Sequence, residues 1–309
     1  MKKDLISVND LTRDELYELL DRSRKLKEEI RQRRQLELAR GRMAVLVFEK
    51  PSLRTRVTFE TAMRNLGGSA MYLGPADIGM GKRETVADVA RNLSRWVDCI
   101  IARVFAHSIV EELAREASIP VINALSDDEH PCQTLADLQT ILEYRGRLEG
   151  ANVAWTGDGN NVCNSLMLGC ALVGANLRVA TPRGFEPPQR FVNQAQAYAR
   201  QSGATLELLY DPAEAVKGAE FVYTDVWASM GQENETEQRR QIFRPYQLNR
   251  SLLALARPDA RVLHCLPAHR EEEITAEVLD GPQSVVLDQA ENRLHAQRAL
   301  LAALLSLPA

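Results

Sequence analysis

The chain has no excess of positive charge, no paired cysteines and no long apolar run, and each absence removes a class of function. Against 38 lysines and arginines stand 42 aspartates and glutamates, a formal net charge of −4. General affinity for nucleic acid or acidic membranes needs a basic excess, so any anion site must be local. The five cysteines, Cys99, Cys132, Cys163, Cys170 and Cys265, are odd in number and form no CxxC pair. Reduced thiols in a cytoplasmic compartment are the simplest expectation. The opening MKKDLISVNDLTRDEL lacks the apolar core of a signal peptide. No run approaches the ~18 apolar residues of a membrane span. A solenoid repeat and the GxxxxGK[ST] phosphate loop are also missing.

What is present reads as a soluble α/β protein. At 309 residues the chain is too long for one ordinary core, and two domains of roughly 150 residues are expected. Thr12 followed by Glu15 fits a capping box, and Leu16, Leu19 and Leu20 continue it as a helical stripe. The charged segment 22–40 reads as a solvated helix face. Short apolar runs then alternate with helical patterns: MAVLVF (43–48), AMYL (70–73), CIIARV (99–104) and PVIN (120–123). EYRGRLEG (143–150) looks like a hinge, and the alternation restarts with NVAWTG (152–157), LRVAT (177–181), TLELL (205–209), FVYTDV (221–226), RVLHCLP (261–267) and SVVLDQ (284–289). The expected fold is α/β, with two domains, 1–146 and 147–309, each a mostly parallel sheet with helices on both faces. The C-terminal helix, from about residue 289, is expected to pack back on the first domain. Ligands of such folds bind at the carboxyl ends of the strands, here in an interdomain cleft. The polar stretch 228–243 reads as a mobile active-site loop.

Polar clusters fall where these strands end. Ser52, Arg54, Thr55 and Arg56 open a helix, whose free N–H groups and partial positive charge suit a phosphate. A capped helix with two surface arginines fits the same residues. Arg103 ends CIIARV, where a surface salt bridge is the plain alternative, and His130-Pro131-Cys132-Gln133 starts another helix, with capping or packing as the other role for His130. GDGNN (157–161) stands where a dinucleotide fingerprint would, but Val162 fills the third glycine position and LRVAT ends without an acidic residue. Asp225, with Ser229 four residues on, suits an amino-acid ammonium, or a bare loop. His264-Cys265-Leu266-Pro267-Ala268-His269-Arg270 invites zinc, yet no further ligands lie at the right spacing, so no metal is expected. A Cys–His nucleophile is conceivable there. Arg293 stands at the start of the last helix, where a surface role is the alternative.

Taken together, FEKPSLRTR, HPCQ, DVWASMG and HCLPAHR resemble the motifs of the ornithine carbamoyltransferases, in the same order and at the same separations. The SxRTR and HPxQ elements are shared with aspartate carbamoyltransferases, whereas DxxxSMG and HCLP favour ornithine. The resemblance implies that Ser52, Leu53, Arg54 and Thr55 hold the phosphate of carbamoyl phosphate. It assigns the carbonyl and phosphate oxygens to Arg103, His130 and Gln133, with Pro131 and Cys132 in the same stretch. Asn161, Asp225, Ser229 and Met230 match ornithine-binding positions, with Asp225 near the reacting amine. Cys265 and Leu266 border both substrates, and Arg293 is a further carbamoyl-phosphate contact. Arg54, Arg103, His130 and Cys265 are the implied catalytic group, with Cys265 a partner of the amine beside Asp225 and not a nucleophile. Many members carry a glutamine, contributed across a subunit interface, where this chain has Gly79; Lys82 or Arg83 could replace it.

The activity so implied is transfer of a carbamoyl group from carbamoyl phosphate to the side-chain amine of L-ornithine, giving L-citrulline and phosphate, with no cofactor. The resemblance also implies a cytoplasmic enzyme of arginine biosynthesis, a trimer or dimer of trimers, with no nucleic-acid or membrane partner. The alternative is a carbamoyltransferase for a different amine or amino acid. Two rivals from other classes are an α/β protein that binds an anion without turnover and a nicotinamide enzyme.

Overall fold

The computed structural model describes residues 1–32, 36–81, 83–228 and 236–306. Along the first half run α1 (Arg13–Arg31), β1 (Met43–Phe48), α2 (Leu53–Asn65), β2 (Ser69–Leu73), α3 (Pro75–Ile78), α4 (Val86–Trp96), β3 (Cys99–Arg103), α5 (His107–Glu116), β4 (Val121–Leu125) and α6 (Pro131–Arg145). The second half continues with β5 (Asn152–Thr156), α7 (Asn161–Val173), β6 (Asn176–Ala180), α8 (Gln189–Ser202), β7 (Leu206–Leu209), α9 (Pro212–Val216) and β8 (Phe221–Tyr223). It ends with α10 (Thr236–Phe243), α11 (Arg250–Leu253), β9 (Arg261–Leu263), α12 (Ala276–Leu279) and α13 (Val286–Leu304). Two compact units result: Met1–Ala136 with Glu291–Ala309, and Asp137–Ala290. The division falls inside α6, ahead of the charged segment 143–150.

The first unit holds a four-stranded parallel sheet in the order β2-β1-β3-β4. Val45, Val47, Ile100 and Ala102 face α4 and α5, where they meet Val86, Val89, Leu93, Val110 and Leu113. The pleat turns Ala44, Leu46 and Phe48 to the opposite face, and these are buried as well. Burial on both faces explains why MAVLVF is a continuous apolar run without alternation. The capping box at the head of α1 is formed: Thr12 Oγ1 accepts the Glu15 N–H at 3.2 Å, and Glu15 Oε2 accepts the Thr12 N–H at 2.9 Å. The segment after Asp21 is only partly a solvated face, because Ser23, Leu26 and Lys27 are buried and Lys27 Nζ donates to Asn292 Oδ1 at 2.7 Å.

The second unit holds a five-stranded parallel sheet in the order β7-β6-β5-β8-β9. Ala154, Val222 and Val262 pack one face against Leu248, Leu252, Val278 and Leu279. Trp155 and Tyr223, next along their strands, point the other way with ring centroids 5.0 Å apart. Two expected strands are shorter than their apolar runs, since β8 stops at Tyr223 and β9 at Leu263. Asp225 and His264 are therefore loop residues just past strand ends. SVVLDQ is not a strand. Ser284 makes one bridge to Val262, Val285 donates to the Val262 carbonyl at 3.0 Å, and the chain is helical from Val286. With β9 only three residues long there is little ladder to extend, and Asp288 in the first turn suits the positive end of a helix.

Replacing Thr12 by Ala removes the side-chain arm of the capping box, leaving the backbone N–H of residue 12 on Glu15, and should cost about 1 kcal/mol. At this unit size that is a fall in Tm of about 2–4 °C, measured by scanning calorimetry. An unchanged Tm would show that the start of α1 frays without cost.

Candidate active site

In the first unit the strand order reverses beside β1, since β2 lies on one side and β3 on the other. Loops leaving the carboxyl ends of β1 and β3 part in opposite directions there, and a crevice opens between them. Ser52 is the N-cap of α2, with Oγ accepting the Thr55 N–H at 3.2 Å. Leu53 and Arg54 follow at the first helical positions, so their backbone N–H groups belong to the helix start, while the Leu53 side chain is exposed. Thr55 Oγ1 accepts from Arg103 Nη1 at 3.5 Å and from Arg293 Nη2 at 3.3 Å. Arg293 Nη1 donates to Gln133 Oε1 at 2.7 Å. Residues separated by up to 238 positions in the chain thus meet at one hydroxyl. Lys50, a buried lysine two residues ahead of Ser52, pairs with Asp127 at 2.5 Å and ties down the loop.

Arg56 takes no part in this group. Its Nε donates to Glu60 Oε1 at 3.0 Å and its guanidinium lies 3.9 Å over the Tyr72 ring. Of the two arginines in SLRTR, only Arg54 joins Arg103 and Arg293 in acting on His130. That imidazole is buried, and its pKa lies well below the ordinary value, through burial first and then the charges of Arg293, Arg103 and Arg54. It is therefore neutral at pH 7 and can donate one hydrogen bond without adding a fourth cation. Pro131 begins α6 behind it. The Cys132 thiol is pushed up to about 12 by burial, and it points to the Asn123 carbonyl at 3.4 Å. Any contact of Cys132 with a ligand is left to its backbone.

The second sheet reverses between β5 and β8, and the same rule applies. Gly159, in the loop after β5, is required by close approach: a Cβ there would stand 2.4 Å from the Pro187 nitrogen. The space a side chain would take is filled by the backbone of residues 185–187. Asn160 caps α7, and Asn161 is its first residue. Past β8, the buried Asp225 accepts from Asn160 Nδ2 at 2.8 Å and from the Cys265 thiol at 2.9 Å. Past β9, His264 Nδ1 accepts the Leu266 N–H at 2.8 Å, so its proton sits on Nε2, which meets Glu273 Oε1 at 3.1 Å. Leu266 is held at φ +57, a region a bulky residue rarely adopts.

Asp225, His264 and Cys265 offer carboxylate, imidazole and thiol atoms within 4.8 Å of one another, a donor set that suits zinc. Both nitrogens of His264 are already committed, however, so the group would need rearrangement before it could bind a metal. Asp158 is a further buried carboxyl here, and burial pushes it up to about 6 against the pull of Arg239, with the charge of Asp225 adding to the rise. Arg239 Nη1 reaches Asp158 Oδ2 at 3.0 Å and the Trp227 carbonyl at 2.9 Å.

The structure therefore gathers Ser52, Arg54, Thr55, Arg103, His130, Gln133 and Arg293 in the first unit, and Asn161, Asp225, Cys265 and Leu266 past strand ends of the second. Ser229, Met230 and Lys82 lie outside the described residues. Gly79 ends α3 at φ +56, where glycine is favoured over a longer side chain. Sequence reading missed Asn160, Asp158, Arg239 and Glu273. It also missed Gln297, whose amide oxygen, correctly oriented, accepts from Arg293 Nη2 at 2.9 Å and Nε at 3.1 Å. Only the helical spacing of Gln297, four residues beyond Arg293, hints at that pairing.

Two doubly wound parallel sheets, one with three arginines around a buried histidine and one with a carboxylate–thiol pair at its switch point, describe a two-domain α/β protein. Two family models match. The "Aspartate/ornithine carbamoyltransferase, carbamoyl-P binding domain" covers residues 3–143, and the "Asp/Orn binding domain" covers residues 149–304. An ornithine carbamoyltransferase of Pyrococcus horikoshii is 52% identical over 98% of this chain and 96% of its own. That of Bacillus subtilis is also 52% identical, over 98% of this chain and 94% of its own. Among solved structures, ornithine carbamoyltransferase from Pyrococcus furiosus superposes with a TM-score of 0.95 at 52% identity, covering 97% of this chain and 96% of that one. The anabolic enzyme from Campylobacter jejuni gives 0.93 at 36% identity, over 98% and 99%. The chain belongs to the aspartate/ornithine carbamoyltransferase family.

The raised Asp158 carboxyl has a consequence for stability. An unfolded aspartate titrates near ~3.9, so between that value and about 6 the folded state binds more protons than the unfolded one. This group's contribution is fully present below pH ~4 and is lost as pH rises through about 6. In Asp158→Asn that loss is absent. The Tm of the variant relative to wild type should therefore shift in the variant's favour by a few degrees between pH 4.5 and 7. A difference that stays constant across this range would contradict the assignment.

Proposed function

We propose that the chain transfers the carbamoyl group of carbamoyl phosphate to the side-chain amine of L-ornithine, giving L-citrulline and phosphate. The observation that carries this reading is the division of chemistry between the units. Three arginines surround a neutral histidine in one, and a carboxylate paired with a thiol stands at the switch point of the other. Relatives named for this reaction, 52% identical over nearly the whole chain, support it.

In this reading the start of α2, with Ser52, Leu53, Arg54 and Thr55, holds the phosphate through N–H groups, hydroxyls and the Arg54 guanidinium. Arg103, Thr55 and His130 donate to the carbamoyl oxygen as it gains negative charge, a role suited to fixed donors in a water-poor site. Gln133 and Gln297 orient Arg293 on the phosphate. Asn161, Asp225, Ser229 and Met230 receive ornithine, with Cys265 and Leu266 alongside. The neutral amine attacks the carbamoyl carbon, the bond from that carbon to the phosphate oxygen breaks, and phosphate leaves while the nitrogen loses a proton. The protein contributes position and electrostatics, and no covalent intermediate is needed. Cys265 and Asp225 orient the amine by hydrogen bonding.

We further propose a cytoplasmic homo-oligomer, a trimer or dimer of trimers, serving arginine biosynthesis, with Lys82 as the contact offered to a neighbouring subunit. Exposed Leu53 and Val57, one turn apart on α2, give that assembly an apolar face to cover. An anabolic relative in Pyrococcus furiosus, 51% identical over 97% of this chain, supports the biosynthetic direction.

The purified protein should release phosphate from carbamoyl phosphate in step with citrulline when given ornithine, and not with aspartate, lysine or putrescine. Preferred turnover of another amine would replace ornithine in the reading. Because a free alkyl amine has a pKa near ~10.4, kcat/KM for ornithine should climb with pH from 6 to 9.

Arg54→Ala should lower kcat/KM by at least ~100-fold, the scale of a lost charged donor at a transition state. Its circular dichroism should match the parent. A folded variant with near-normal activity would remove Arg54 from the phosphate site.

A further inference from the structure

Asp225 is the carboxylate placed against the reacting amine, and the side chain that holds it has a second task. Asn160 is the N-cap of α7, and its Oδ1 accepts the Val162 N–H at 3.0 Å and the Cys163 N–H at 3.1 Å. The other arm of the same amide, Nδ2, donates to Asp225 Oδ2 at 2.8 Å. The amide has one workable orientation. Two backbone donors require oxygen on one side, which turns the NH₂ group to the carboxylate. Asp225 Oδ1 meanwhile accepts from the Cys265 thiol at 2.9 Å. Each oxygen of the buried carboxylate therefore has a fixed donor, one on the β5–α7 loop and one on the loop after β9.

We propose that Asn160 is a positioning residue for the reaction, coupling the start of α7 to Asp225 and setting the plane in which that carboxylate meets the ornithine amine. The proposal rests on the assignment of Asp225 to the amine. Asparagine alone satisfies both demands. Serine and threonine cap a helix well but carry no donor long enough to reach the carboxylate, and aspartate caps while placing a second negative charge against Asp225. Glutamine carries the right groups on a stem too long for the cap. The neighbouring carboxyl of Asp158, which Asp225 already raises, shows that charges on this loop act on one another at this range.

The test separates the cap from the positioning role, because the two can be removed independently. Asn160→Ser and Asn160→Asp keep a capping oxygen, and their Tm should stay within about 2 °C of wild type. Asn160→Ala loses the cap and should melt lower. In steady-state kinetics Asn160→Ser should lower kcat/KM for ornithine by about 30-fold, the scale of a hydrogen bond to a charged group. Asn160→Asp should fall further, by more than about 100-fold, from like charges in contact. Carbamoyl phosphate binding, measured directly by calorimetry, should change less than about 3-fold in both, since Ser52, Arg54, Thr55, Arg103, His130, Gln133 and Arg293, which carry most of that assignment, lie in the other unit. A residue that only caps a helix would give wild-type kinetics in both variants, and that outcome overturns the proposal. Asp225→Ala distinguishes the two levels of failure. If Asp225→Ala is inactive and Asn160→Ser is normal, the role of Asn160 alone is wrong. If Asp225→Ala turns over normally, the assignment of Asp225 fails, and the proposal with it.

Discussion

Everything functional in this chain depends on a topological constraint: in each parallel sheet the strand order reverses once. In β2-β1-β3-β4 and in β7-β6-β5-β8-β9 the reversal leaves two adjacent strands whose outgoing loops part. Polar side chains collect in that gap. The first gap receives the helix start at Ser52 and the strand end at Arg103. The second receives the cap at Asn160 and the strand end before Asp225. The shortness of β8 and β9, three residues each, matters for the same reason, because it releases Asp225 and His264 into loops where their side chains can turn toward chemistry.

The two gaps are opposite in electrical character. In the first, burial and then the charges of three guanidinium groups keep one imidazole neutral. Such a concentration of cations is tolerable in a protein with net charge −4 because it is local. In the second, two carboxyls share a loop neighbourhood. The structure separates their environments: Asp158 is paired with Arg239 and raised by burial, while Asp225 is held by an amide and a thiol. Different partners give two chemically similar side chains different work.

Much of this was legible in the sequence, for physical reasons that differ by residue. MAVLVF is a strand buried on both faces, so its apolar run begins and ends with the strand, Met43 to Phe48. SVVLDQ was misleading because β-branched residues in a short apolar run fit a strand or a buried helix turn, and only the three-residue length of β9 settles the matter. Arg54 and Arg56 look equivalent on paper. Their roles separate because Glu60 and the Tyr72 ring draw Arg56 away, and the ring contact is invisible to local pattern. GDGNN already lacks the third glycine of a nucleotide turn, and the approach of residue 187 to Gly159 is a further, tertiary fact that the sequence does not carry. Gln297 and Glu273 carried no motif at all, since their importance lies in whom they orient.

The five cysteines have a practical implication that follows from their burial. Four of them, Cys99, Cys132, Cys163 and Cys170, are buried in the core, with thiols raised away from the reactive thiolate form. Cys265 is the one thiol that solvent reaches, and it stands beside Asp225, past the strand ends of the second unit. A mild alkylating reagent applied to the native protein would thus consume one equivalent per chain. The molecule carries a built-in means of counting its own competent sites.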